Sequence, residues 1–138
     1  MSLDINLKCE KRCKNCGEHQ EYFFVGDFNI THNLAKMADK AGIYEALWRP
    51  YKLHPDWKPI SDDDYNLEIG FEANHPMYVK DILVKLKNGL EDLKARPDYF
   101  KQFDASNGWG TYEHFVPFVQ EVYDLYKQYP EGELQVSR

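Results

Sequence analysis

Val79-Lys80-Asp81-Ile82-Leu83-Val84-Lys85-Leu86-Lys87-Asn88-Gly89-Leu90-Glu91-Asp92-Leu93 spaces Val79, Ile82, Leu83, Leu86, Leu90 and Leu93 by helical steps. Those aliphatic side chains share one stripe of an α-helix, the strongest periodic signal in the chain. Pro76 suits the first turn of that helix, and Pro97 ends it soon after Arg96. Tyr112, Phe115, Val116, Val119, Val122, Tyr123 and Tyr126 repeat the spacing beyond the turn residues Asn107-Gly108-Trp109-Gly110. Residues 76–129 therefore read as a two-helix segment, with Pro117 in the first two turns of the second helix.

Working outward, Leu34, Met37, Ala38, Ala41 and Ile43 predict an earlier helix running to about Trp48, capped by one of Asn29, Thr31 or Asn33. Ile5 and Leu7 alternate with polar neighbours, and Glu21-Tyr22-Phe23-Phe24-Val25 is aromatic and β-branched. Residues 1–28 thus read as a β-hairpin with a cysteine-rich turn. Residues 50–75 carry Pro50, Pro55, Pro59 and Asp62-Asp63-Asp64 and read as an acidic, proline-containing loop. Within it Tyr65-Asn66-Leu67-Glu68-Ile69 alternates like a minor strand. Leu134 and Val136 predict a closing strand that joins the hairpin. The expected architecture is a single α+β domain, residues 1–138, with about three amphipathic helices on a short antiparallel sheet.

The chain has 138 residues and a net charge of −6, most of it contributed by residues 54–75. An acidic chain with no Lys/Arg cluster lacks the counterion release that drives phosphate-backbone binding, so direct contact with nucleic acid is not expected. No apolar run approaches the roughly 20 residues of a bilayer span, so neither a membrane partner nor export is expected. A cysteine count of three, all between residues 9 and 16, suits a reducing compartment and predicts a cytoplasmic protein.

Three constellations carry candidate chemistry. Cys9, Cys13, Cys16 and His19 offer thiolate and imidazole ligands of the type that binds zinc. The alternative is reduced thiols at a hairpin tip, some packed inward, and no cofactor beyond a possible zinc ion is expected. The same cysteines match the CxxxCxxC spacing of a four-iron cluster, but the chain lacks the alternating strands and helices of enzymes that use one. Asn29, Thr31, His32 and Asn33 gather polar groups before a helix, either as a cap or as part of a ligand site. Asn107-Gly108-Trp109-Gly110-Thr111-Tyr112 lets the backbone turn sharply around an indole, either as a packing corner or as a stacking platform beside Trp48, Trp57 and Tyr112. The candidate ligand-binding residues are Asn29, Thr31, His32, Asn33, Asn107, Trp109 and Tyr112; no catalytic residue is identified.

Asn29-Ile30-Thr31-His32-Asn33 with Ala41-Gly42-Ile43-Tyr44, the central amphipathic helix, Asn107-Gly108-Trp109-Gly110-Thr111-Tyr112-Glu113 and the closing Val136-Ser137-Arg138 occur in that order. In this the chain resembles a family of small proteins, of no assigned activity, encoded by tailed bacteriophages and prophages of Gram-positive bacteria. The resemblance implies a protein made inside an infected or lysogenic cell. With 10 Tyr, 8 Phe and 3 Trp, the expected role is an accessory module that binds a host or phage protein through an aromatic surface. Two alternatives stand beside it. One is a small-molecule or nucleotide binder, or a hydrolase, which requires the Asn29–Asn33 and Asn107–Gly110 segments to converge on one concave site. The other is a zinc-stabilised hairpin.

Overall fold

The computed structural model describes residues 2–12, 20–58 and 65–138. Strands β1 (Ser2–Arg12) and β2 (Gln20–Thr31) form the hairpin, and β3 (Glu133–Ser137) pairs antiparallel with β1, giving the order β2-β1-β3. The register runs from Ser2↔Thr31 to Arg12↔Gln20, with a bulge that sets Gly26 and Asp27 against Asn6. Period-two alternation sends Leu3, Ile5, Leu7 and Cys9 of the central strand into the core. Their neighbours Asp4, Lys8 and Glu10 share the opposite face with Asn29, Phe24 and Tyr22. The helices lie on the inner face alone, so Tyr22 and Phe24 are 56% and 61% exposed.

Helices α1 (Ala35–Lys40), α2 (Tyr44–Trp48), α3 (Tyr65–Asn74), α4 (Val79–Ala95), α5 (Pro97–Lys101) and α6 (Tyr112–Gln128) complete the described α+β domain. The expected stripe of α4 is real: Val79, Ile82, Leu86, Leu90 and Leu93 are buried, and Leu83 packs at the edge of the core. It faces Phe115, Phe118, Val119, Val122 and Tyr126 of α6, which tolerates Pro117 near its start.

Several boundaries differ from expectation, each for a physical reason. The helix predicted to reach Trp48 is divided: a 3₁₀ turn at His32–Leu34 leads into α1, and α2 begins only after Gly42, whose φ of 76° breaks the helical path. The central helix begins at Val79 rather than Pro76. The preceding residues extend along β3, where Met77 carbonyl accepts from Leu134 N–H at 2.8 Å and Tyr78 bridges Glu133. Asp81 then accepts the Tyr78 N–H at 3.0 Å, securing the helix start. The two-helix segment also contains the short α5, which Pro97 opens.

Residues 50–75 are not simply a loop. Pro50–Leu53 forms a 3₁₀ turn, and Tyr65–Asn74 is helical where a minor strand was expected over residues 65–69. The alternation of Leu67 and Ile69 was misleading because both project outward, 56% and 43% exposed. The anchors of α3 are Glu68, Phe71, Glu72 and His75, spaced by three and four. Pro59 and Asp62-Asp63-Asp64 lie outside the described residues.

Candidate functional site

The end of β2 and the loop before α6 meet. Thr31 is the cap among the three candidates: its Oγ1 accepts the Asn33 N–H at 3.3 Å and starts the 3₁₀ turn. Asn33 Nδ2 then donates to the Trp109 carbonyl at 2.8 Å, across 76 residues of sequence. Asn107 Oδ1 accepts the Trp109 N–H at 2.9 Å, so both backbone polar groups of Trp109 are held by asparagine side chains. Gly110 is required beside it. Its φ is 118°, and a Cβ there would stand 3.1 Å from both Asn33 Cβ and Thr31 Cγ2. Asp104 accepts the Tyr112 N–H at 2.7 Å and fixes the start of α6.

The junction encloses an open groove of about 890 Å³ whose walls include Ser2, Asn29, Thr31, His32, Asn33, Asn107, Trp109 and His114. The convergence required for a shared concave site is therefore present for six of the seven candidate ligand-binding residues. Tyr112 is the exception. Its hydroxyl donates to the Leu93 carbonyl at 2.7 Å and ties α6 to the end of α4. Trp48 and Trp57 are not groove walls either: Trp48 is buried in the core, and Trp57 packs edge-on against Tyr51 and Phe71.

Two properties set the chemistry of the groove. Among the described residues that line it none carries a formal charge, with histidine counted neutral, although 29% of the chain is charged. The indole of Trp109 is 73% exposed on a backbone that is fully pinned. The amides around it are half committed: Asn29 Nδ2 donates to Ser2 Oγ and Asp4 Oδ1 at 2.9 and 2.7 Å. His32 meets Trp48 edge-on at 6.3 Å, and His32 Nε2 and Trp48 Nε1 are both buried without a hydrogen-bond partner among the described residues.

The candidate zinc ligands divide. Cys9 is buried on the core face of β1, and burial pushes its thiol pKa up, away from the thiolate that binds metal. Cys13, Cys16 and His19 lie outside the described residues. Among the described residues no group of three or more His, Cys, Asp or Glu side chains is placed to hold a metal ion.

A polar network that sequence reasoning missed secures α3. Arg49 Nη1 donates to Glu68 Oε1 and to the Tyr51 hydroxyl at 2.9 Å, and its Nε donates to the Tyr44 hydroxyl at 3.2 Å. The Tyr51 hydroxyl donates in turn to Glu68. Arg138 grips Glu72 with two bonds of 2.8 Å and lies 5.5 Å above the Tyr51 ring. Only the i, i+4 spacing of Glu68 and Glu72 hinted at this, and it has meaning only once the segment is known to be helical. The network ties α3 to Arg49, Tyr51 and Arg138.

The anchor makes stability depend on pH. Its hydrogen bond from Tyr51, aided by the positive charges of Arg49, Lys52 and Arg138, holds the Glu68 carboxyl below its usual value of 4.5. A depressed carboxylate stabilises the fold above its unfolded pKa, and that contribution is lost on acidification. Burial and the Glu68 hydrogen bond push the Tyr51 phenol up to about 12. A raised phenol stabilises the fold below pH 10, and this is lost as pH climbs towards 12. Urea midpoints should hold between these limits and fall beyond each. Tyr51→Phe should soften the alkaline decline, leaving the part due to Tyr126, which burial also raises. An alkaline limb unchanged in Tyr51→Phe excludes this account.

No family model, curated protein or solved structure matches the chain.

Proposed function

We propose that this chain is a recognition module, without bond-making chemistry of its own, that binds a host or phage protein through the Trp109 groove. The observation that carries the proposal is a 73% exposed indole on a backbone held at both its N–H and its carbonyl. Ordering costs weigh against binding, and a platform already fixed in place avoids most of them. Tryptophan is among the residues that most often dominate interface energetics. We place the encounter in the cytoplasm of an infected or lysogenic bacterium, as the resemblance read from the sequence implies.

A small neutral ligand is the second reading, favoured by the convergence of the two segments and by a volume within the range of ligand sites. Small-molecule sites bury some 70–90% of their ligand, however, and Asn29, Asn33, Asn107, Trp109 and His114 are all exposed walls. A nucleotide fits less well, because among the described residues no lysine or arginine lines the groove to meet its phosphates.

The test is copurification from infected cells at native expression, comparing the wild-type chain with Trp109→Ala. An exposed side chain can be truncated without loss of the fold, so far-UV circular dichroism should be unchanged. Loss of a central aromatic anchor costs about 2 kcal/mol or more, which predicts at least tenfold weaker capture. Equal capture by the two proteins, or a wild-type chain that stays alone and binds only metabolites, defeats the proposal.

A further inference from the structure

We propose that Asn107 is a site of spontaneous covalent modification: the Gly108 peptide nitrogen displaces its side-chain amide, converting a wall of the groove into aspartate and isoaspartate. The modification stands on the chemistry of the turn alone. Its effect on binding rests on the recognition reading above.

Asn-Gly occurs twice in the chain, as Asn88-Gly89 and Asn107-Gly108, and every other asparagine precedes a larger residue. Glycine leaves the following peptide nitrogen least shielded, so these two amides are the most open to attack from the main chain. The fold separates them. Ring closure brings the asparagine Cβ into line with the next nitrogen, a torsion that the helical ψ of about −42° does not supply. Asn88 lies within the 17-residue α4, and a Cβ at Gly89 would stand 2.1 Å from Ile43 Cγ2. Reaction there means breaking the helix against the core. Asn107 is exposed, in a turn closed by the hydrogen bond from Gly108 N–H to the Ala105 carbonyl at 3.0 Å. A Cβ at Gly108 would meet nothing within 4 Å, so the turn has room to rotate. Asn107 Oδ1 also accepts the Trp109 N–H at 2.9 Å, which folds the side chain back along the backbone and polarises the carbonyl that is attacked.

Water is the only co-reactant. The Gly108 nitrogen gives up its proton to solvent and bonds to Asn107 Cγ, and the Cγ–Nδ2 bond breaks to release ammonia, leaving a five-membered succinimide. Water then opens the ring at either carbonyl. Opening at Cγ yields aspartate in the normal chain. Opening at the main-chain carbonyl yields isoaspartate, whose Cβ now lies in the backbone. Both products put a negative charge on a wall of a groove whose described lining residues carry none. Aspartate keeps an oxygen for the Trp109 N–H. Isoaspartate lengthens the main chain between the Ala105 carbonyl and that N–H, so the geometry that pins Trp109 is lost.

The test follows the full chain in mildly alkaline buffer by mass-spectrometric peptide mapping, with isoaspartate counted by enzymatic methylation and a urea-unfolded sample alongside. In the folded chain Asn107 is expected to convert at least about tenfold faster than Asn88, since reaction inside a helix waits on local opening. In urea the two should convert at similar rates, and both should quicken as pH rises because the attacking nitrogen must lose a proton. Equal rates in the folded chain, or conversion of Asn107 only after unfolding, overturn the proposal. Hydrogen exchange at the Trp109 N–H needs no partner. It is expected to quicken at least about tenfold in the isoaspartate fraction and to stay near that of fresh protein in Asn107→Asp. Unchanged exchange in the isoaspartate fraction overturns the release of Trp109. Capture of the partner should weaken at least about tenfold in the same fraction. Capture that depends on Trp109 but ignores the modification overturns its effect on binding. Capture indifferent to Trp109 removes the recognition reading, while conversion at Asn107 is still decided by the peptide map.

Discussion

Gly89→Val is expected to cost the fold at least about 3 kcal/mol, a large part of the 5–15 kcal/mol that keeps a typical domain folded. Gly89 sits in the middle of α4, where glycine is worth about 1 kcal/mol less than alanine to an isolated helix. It is needed because the chain between α1 and α2 crosses there. A Cβ at Gly89 would lie 2.1 Å from Ile43 Cγ2 and 3.0 Å from the Ala41 carbonyl oxygen. Ile43 is fully buried, and the Ala41 oxygen is backbone, so neither yields easily. Gly89→Ala pits a propensity gain of about 1 kcal/mol against overpacking of about 1–3 kcal/mol, and a net loss near 1 kcal/mol is expected. Valine adds two methyl groups to the same clash with no such compensation. Ile43→Ala should cost about 2–5 kcal/mol alone. Combined with Gly89→Ala it should cost less than the sum, because the shortened side chain makes room for the new methyl. Chemical denaturation of the four proteins checks the cycle, and a Gly89→Ala protein more stable than wild type defeats the argument.

The same crossing shows where sequence reading succeeds and where it stops. The stripe from Val79 to Leu93 and the one from Phe115 to Tyr126 were legible because each helix buries one continuous face against the other. The place of β3 beside the hairpin followed from alternation alone. Gly89 gave no signal, since its role is defined by a residue 46 positions away. Helix α3 was misread for a related reason: its aliphatic residues face outward, and arginines from distant segments, Arg49 and Arg138, hold it through Glu68 and Glu72. Local pattern records burial, and an element anchored by long-range ion pairs leaves little of it. The candidate site was legible in composition but not in proximity. Asn33 read as one of three cap candidates and Asn107 as a turn residue; Thr31 is the cap, and Asn33 and Asn107 instead share the fixing of Trp109, which only the folded chain reveals. Tyr112 was grouped with the indole by adjacency, yet one step into α6 turns its hydroxyl to the end of α4.

Trp48→Ala is the second large effect expected, about 3–5 kcal/mol for removing a side chain that is 1% exposed. Trp48 stacks on Tyr44 with ring centres 5.5 Å apart and supports His32 edge-on at 6.3 Å. Because His32 is a wall of the groove, the cavity left by alanine should loosen the site as well as the core. Partner affinity should therefore fall even under conditions where the variant remains folded. Trp48→Phe separates packing from polarity. Phenylalanine keeps most of the ring contact and deletes Nε1, a buried donor with no partner. Leaving such a donor unsatisfied costs about 1–3 kcal/mol in the native protein, and its removal returns that amount. The smaller ring forfeits some contact in exchange, so Trp48→Phe is expected within about 1 kcal/mol of wild type. Affinity should follow the same order, near wild type for phenylalanine and reduced for alanine, because one keeps an aromatic ring beside His32 and the other does not. Equal destabilisation by the two substitutions would mean that the indole nitrogen has a partner in solution, and a fall in stability without a fall in affinity would disconnect His32 from the groove.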